Sequence, residues 1–147
     1  MPLLNYTTKV NSTKTLMELQ SMLAKAGAAA ILSEFDHNGD VSAISFRMDV
    51  NGKQIGFRLP ADPKPVLYLI QRDPKVPKSL KTEEQAVRVA WRIIKDWVEA
   101  QLAIIETNMV KPEQAFLPYM LNANNKTVYE VFADNPQFLL GGGNGRD

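Results

Sequence analysis

At 147 residues, 45% apolar, 22% charged and net +1 at pH 7, the chain is long enough for one core-bearing domain, and its overall charge argues for neither nucleic acid nor an anionic membrane. The absence of cysteine excludes disulfides, thiol nucleophiles, zinc ribbons and iron–sulfur ligands. With no run of ~18 apolar residues and no basic-then-apolar start, nothing points to a membrane span or signal peptide, and a cytoplasmic protein is expected.

Leu3–Val10 mixes Tyr, Thr and Val with polar residues and reads as a first strand. Leu16, Leu19, Met22 and Leu23 then recur at helical spacing, which predicts a helix over about 14–26, stopped by Gly27. Ala28–Phe35 is a short apolar run and a second strand. Asp36-His37-Asn38-Gly39-Asp40 is a turn. Val41–Val50 and Lys53–Leu59 form a hairpin about Asn51-Gly52, a pair that favours the positive φ this turn requires. Three antiparallel strands in a meander result.

Asp62 and Pro63 cap and start a short helix with Val66–Gln71 as its body. Residues 72–81 form a basic, proline-broken loop. Thr82-Glu83-Glu84-Gln85 is a capping box that opens a helix over about 83–108. Val87, Ala90, Trp91, Ile94, Trp97, Val98, Leu102 and Ile105 are apolar there, and Val89, Ile93, Ala100 and Ile104 widen the stripe. A helix apolar on so many sides needs covering by the sheet and by something else, the C-terminal helices or a second subunit, and a homo-oligomer is expected. Pro112 starts another helix, and Thr127-Val128-Tyr129-Glu130 is a second capping box opening a short last one. The expected fold is α+β: an N-terminal strand and helix, then a three-stranded antiparallel meander packed on a long helix, with short C-terminal helices. One domain over 1–140 and a flexible Gly-rich tail over 141–147 are expected.

The Asn51-Gly52 register pairs Met48 with Ile55, Phe46 with Phe57 and Ile44 with Leu59. One face is therefore apolar. The other carries Ser45, Arg47, Gln54, Gly56 and Arg58, with Arg47 opposite Gly56 and Arg58 opposite Ser45. Two guanidinium groups on one diagonal suit a phosphate, and Gly56 leaves room for a ligand or a neighbouring backbone. The same pattern also fits a solvated polar face with Asp49 and Glu34 as neutralising partners.

A second basic group runs through Arg72, Lys75, Lys78 and Lys81 into Arg88, Arg92 and Lys95. It reads as a phosphate-backbone track beside a helix N-terminus, or as a solvated face with Arg92–Asp96 and Lys95–Glu99 pairs. The candidate phosphate-binding residues are Arg47, Arg58, Lys75, Lys78, Lys81, Arg88 and Arg92. His37 is the only histidine, and turn chemistry accounts for it and its neighbours Asp36 and Asp40. No triad, metal set or phosphate loop is expected, and so neither an enzyme nor a cofactor.

Leu4-Asn5-Tyr6-Thr7-Thr8-Lys9-Val10, Ser45-Phe46-Arg47, Phe57-Arg58-Leu59-Pro60 and Ala86–Arg92 through Asp96-Trp97 resemble a family of small uncharacterised proteins of bacteriophages and bacterial mobile elements. The resemblance spans about residues 3–140 and implies a setting rather than a chemistry. The order strand–helix–strand–strand–strand–helix is also similar to the core of single-strand annealing proteins, which form rings and hold DNA in a basic groove; double-stranded RNA-binding domains share part of it. Three function classes follow: a phage-type accessory protein binding nucleic acid, single-stranded DNA among the targets; a protein-interaction or anti-defence inhibitor module acting on a host protein; and a nucleotide binder using Arg47 and Arg58.

Overall fold

The computed structural model describes residues 3–137. The elements run α1 (Ser12–Lys25), β1 (Ala30–Phe35), β2 (Val41–Val50), β3 (Lys53–Arg58), α2 (Pro63–Arg72), α3 (Glu83–Glu106), α4 (Pro112–Ala115) and α5 (Val128–Asp134). Short 3-10 turns lie at Lys78–Leu80 and Leu117–Tyr119. The α+β class, the meander and the long helix agree with the sequence reading. The expected tail at 141–147 lies outside the described residues.

The sheet has the order β1-β2-β3 and is antiparallel throughout. Asn51 and Gly52 take φ of 54° and 83°, which matches the twist of the flanking strands. Asp49 holds the turn by accepting the Gly52 N–H at 2.8 Å. The register is the expected one, with Met48 opposite Ile55 and Phe46 opposite Phe57. Ile44, Phe46, Met48, Phe57 and Leu59 are consequently buried.

That face packs against Leu16, Leu19 and Leu23 of α1, Trp91 and Val98 of α3, and Phe116. Phe46 stacks on Phe57 with centroids 5.0 Å apart, and Phe116 meets both edge-on at 5.5 and 6.1 Å. Each such pair contributes about 0.5–1.5 kcal/mol beyond the area it buries. A second cluster of Ile70, Val76 and Ala86, with Leu3, Tyr6, Val66, Leu67 and Leu80 around it, joins α2, the 72–81 loop, the start of α3 and the N-terminal segment.

Four sequence expectations change. Helix α1 begins two residues before the expected start, because Asn11 caps it by accepting the Thr13 N–H at 2.8 Å. Residues 3–10 form turns and extended chain, not a strand. Asn5 takes a φ of 64°, Tyr6 and Thr8 N–H groups bond back to Leu3 and Asn5, and among the described residues no strand lies alongside. The order that suggested single-strand annealing proteins therefore lacks its first strand. Thr82 does cap α3, accepting the Gln85 N–H at 3.1 Å, but Gln85 does not close the box. Its buried amide donates instead to the Tyr6 and Thr8 carbonyls, both at 2.9 Å, giving that segment the partners a sheet would have supplied.

The fourth change concerns α3. Helices α1 and α2 flank it, the sheet covers the Trp91 and Val98 side, and Phe116 and Tyr119 close on Trp97 at 5.7 and 5.3 Å. None of the large exposed apolar residues belongs to α3. The chain itself covers most of the stripe, Val89 included, while Ile93 and Ile104 stay half-buried outside both clusters and Ala100 is exposed, so the width of α3 alone does not require a second subunit.

Candidate nucleic-acid interface

The sheet places Arg47 opposite Gly56 and Arg58 opposite Ser45, on the face away from the core. The chain then returns along β3. Leu121 donates its N–H to the Gly56 carbonyl at 2.8 Å, and Met120 bridges Phe57. A Cβ on Gly56 would stand 3.2 Å from Leu121 Cδ1. The space that glycine leaves is thus taken by the protein's own Leu121, not left for a ligand.

Arg58 is committed to the same returning segment. Its Nη1 lies 3.9 Å from Glu130 Oε1 and donates to the Asn125 carbonyl at 3.4 Å. Glu130 belongs to a complete capping box: Thr127 N–H donates to Oε1 at 2.8 Å, and Glu130 N–H donates to Thr127 Oγ1 at 3.1 Å. The Thr127 N–H holds the Glu130 carboxyl below its ordinary value, helped by the Thr127 hydroxyl, Arg58 and Lys126, against a smaller opposing push from burial. Arg47 is exposed and has no carboxylate partner among the described residues. The two arginines share a face, but only one is free to receive an anion.

The basic stripe of α3 is largely neutralised. Arg88 bonds Glu84 at 3.4 Å and Gln85 Oε1 at 3.2 Å. Arg92 reaches across to Glu18 of α1 at 2.8 Å, not to Asp96, whose carboxylate accepts from Asn5 at 3.0 Å. Lys95 pairs with Glu99 at 3.2 Å, as the helical spacing suggested. Arg72 lies over the Tyr68 ring, 4.0 Å from its centroid.

The 72–81 loop differs. Lys75 and Lys78 are exposed, Lys81 is half-buried, and none has a carboxylate partner among the described residues. The loop is nevertheless seated. Val76 is buried in the second cluster beside Leu80, Asp73 accepts the Lys75 N–H at 2.9 Å, and the Leu80 and Lys81 N–H groups close on Pro77 and Lys78. Such a loop presents its ammonium groups from a fixed backbone. The surface changes sign just beyond it: a cleft of about 560 Å³ between the β1–β2 turn and the starts of α2 and α3 is lined by Asp36, Asp40, Glu83 and Glu84 as well as Lys64 and Arg88. The basic track ends at Lys81.

The seven candidates thus fall into separate groups. Lys75, Lys78 and Lys81 stand together on the loop, rooted in a cluster that contains no sheet residue. Arg47 and Arg58 project from the far side of the sheet, and Arg88 and Arg92 are paired on α3. The sequence reading missed Glu18, Leu121 and Glu130 as the groups that commit these surfaces. Only Glu130 carried a signal, its capping box, and that box does not reveal Arg58 as a second partner.

In the β1–β2 turn, Asp36 accepts the Asn38 and Asp40 N–H groups at 2.9 and 3.1 Å. Its carboxylate is therefore engaged in shaping the turn that carries His37. Among the described residues no group of three or more His, Asp or Glu is placed to hold a metal ion, and no helix is long and apolar enough to cross a membrane. Comparison with protein-family models, curated proteins and solved structures finds no match to this chain.

Proposed function

We propose that this chain is a non-enzymatic accessory protein that holds the phosphate backbone of nucleic acid through its α2–α3 loop. One observation carries the reading. Lys75, Lys78 and Lys81 are cations without carboxylate partners among the described residues, gathered within seven residues on a seated loop. Three phosphate contacts of this kind give binding with little sequence preference and a modest salt dependence, with log K falling by about 2 per decade of salt on single strands and about 3 on duplex. The setting, phage or mobile DNA, rests on the sequence resemblance.

Fluorescence anisotropy with labelled single-stranded and duplex oligonucleotides tests this. Binding at low salt by the wild type, and its loss in the K75E/K78E/K81E variant, are the expected results. No binding at low salt to either strand form, DNA or RNA, removes the proposal. A second reading, a protein-interaction module, is favoured by the outer edge of β1, along which no strand lies among the described residues. The nucleotide-clamp reading loses its basis, since Arg58 is engaged and Gly56 is filled.

A further inference from the structure

We infer that the outer edge of β1 pairs with β1 of a second copy of this chain, antiparallel, about a two-fold axis at Leu32. The inference is independent of the lysine loop. The sheet has two edges, and the β3 edge is covered by Met120 and Leu121. Along the β1 edge no bridge is formed among the described residues.

The register identifies the groups left open. Leu59 N–H bonds the Ile44 carbonyl at 2.9 Å, so Ile44, Phe46 and Met48 exchange bonds with β3, and Ala43, Ser45 and Arg47 exchange bonds with β1. Their partners on β1 are Glu34, Leu32 and Ala30. The N–H and C=O groups of Ile31 and Ser33 therefore point outward. Edges left open in this way are usually protected by lysine or proline. This one carries neither, its single charge is Glu34, and Leu32 is 59% exposed.

The edge is complementary to itself. With the axis at Leu32, Ile31 exchanges hydrogen bonds with the partner subunit's Ser33. Leu32 meets the partner's Leu32 as a non-hydrogen-bonded pair, the arrangement in which facing side chains come closest. Ala30 stands opposite the partner's Glu34. On the other side of Ala30 lies Arg47, and Arg47 and Glu34 each lack an ion-pair partner among the described residues. Across the Ala30 methyl group their backbones are two strand spacings apart, about 10 Å, a gap that an extended Arg and Glu side chain close. The two-fold axis makes this pair twice. Moving the axis to Ser33 would set Leu32 against the partner's Glu34 and lose both features.

Six residues make a small interface, below the size of a standard stable one, so the dimer is weak and salt-sensitive. Sedimentation velocity on the full chain, from about 1 to about 500 µM at low and high salt, reads it in the range expected for micromolar association. The wild type should shift from monomer to dimer with concentration, and less so at high salt. L32K should remain monomeric with an unchanged melting temperature. E34R and R47E should each weaken the dimer at least tenfold, and the double variant E34R/R47E should restore it, a rescue that holds even if L32K fails to fold. A wild type that stays monomeric throughout, or a dimer indifferent to L32K and to the charge exchange, overturns the inference.

Discussion

The sheet arginines and the loop lysines are alike as sequence and opposite as structure. Arg58 is bound into a C-terminal segment that returns along β3, through Glu130 and the Asn125 carbonyl. Lys75, Lys78 and Lys81 have a fixed backbone and ammonium groups with no carboxylate partner among the described residues. Arg88 and Arg92 side with Arg58, since Glu84 and Glu18 hold them. The difference teaches that a run of basic residues is not a field. What a ligand meets is the charge left after tertiary partners have been satisfied, and here Arg58, Arg88, Arg92, Lys95 and Lys126 each have a carboxylate partner.

The largest effect should come from unseating the segment that commits Arg58. Phe116 is fully buried and meets Phe46, Phe57 and Trp97, so Phe116→Ala should cost about 3–5 kcal/mol in urea denaturation. Oligonucleotide affinity of the folded fraction should not change, because the loop lysines are rooted in the other cluster. Thr127→Ala removes the hydroxyl half of the capping box, the acceptor of the Glu130 N–H, and should cost about 1 kcal/mol by the same measurement. Arg92→Gln breaks a pair whose side chains are 22% and 38% exposed, so no more than about 1 kcal/mol of stability should go, again without effect on binding.

The smallest effect is a pH dependence. The carboxyl of Glu130 is depressed in the folded state, chiefly by the Thr127 N–H. What its ionised form contributes is therefore present above the unfolded value and is lost as pH falls through the lower, folded one. The stability difference between wild type and Glu130→Gln should narrow as pH drops below the ordinary glutamate value of 4.5, read from thermal melts across acid pH. A difference that widens there would contradict the assignment of Glu130 as the ionised partner of Arg58.

Much of the fold was legible because it is local. Asn51-Gly52 sets the hairpin register, and with it the buried face from Ile44 to Leu59. Thr82, Thr127 and Asp62 each mark a helix start that the structure contains. Leu3–Val10 was misread because strand propensity says which residues tolerate an extended backbone, not whether a neighbour lies alongside. Here the neighbour is one amide, Gln85, which the sequence presented as part of a cap. The candidate interface was legible only as a list of cations. Arg92 finds Glu18 74 positions away in sequence, and no spacing rule reaches that far. Gly56 invited a ligand in the strand pattern, yet the visitor is Leu121, from a segment whose path depends on how Phe116 seats against the aromatic core.

The most direct test is the salt dependence of oligonucleotide binding by the wild type beside K75E/K78E/K81E. The wild type should bind at low salt, with log K falling by about 2 per decade of salt on single strands. The variant should lose at least about 100-fold in affinity, equivalent to about 2.7 kcal/mol, with its melting curve unchanged. Undiminished binding by the variant, or no binding by the wild type at low salt, would contradict the account.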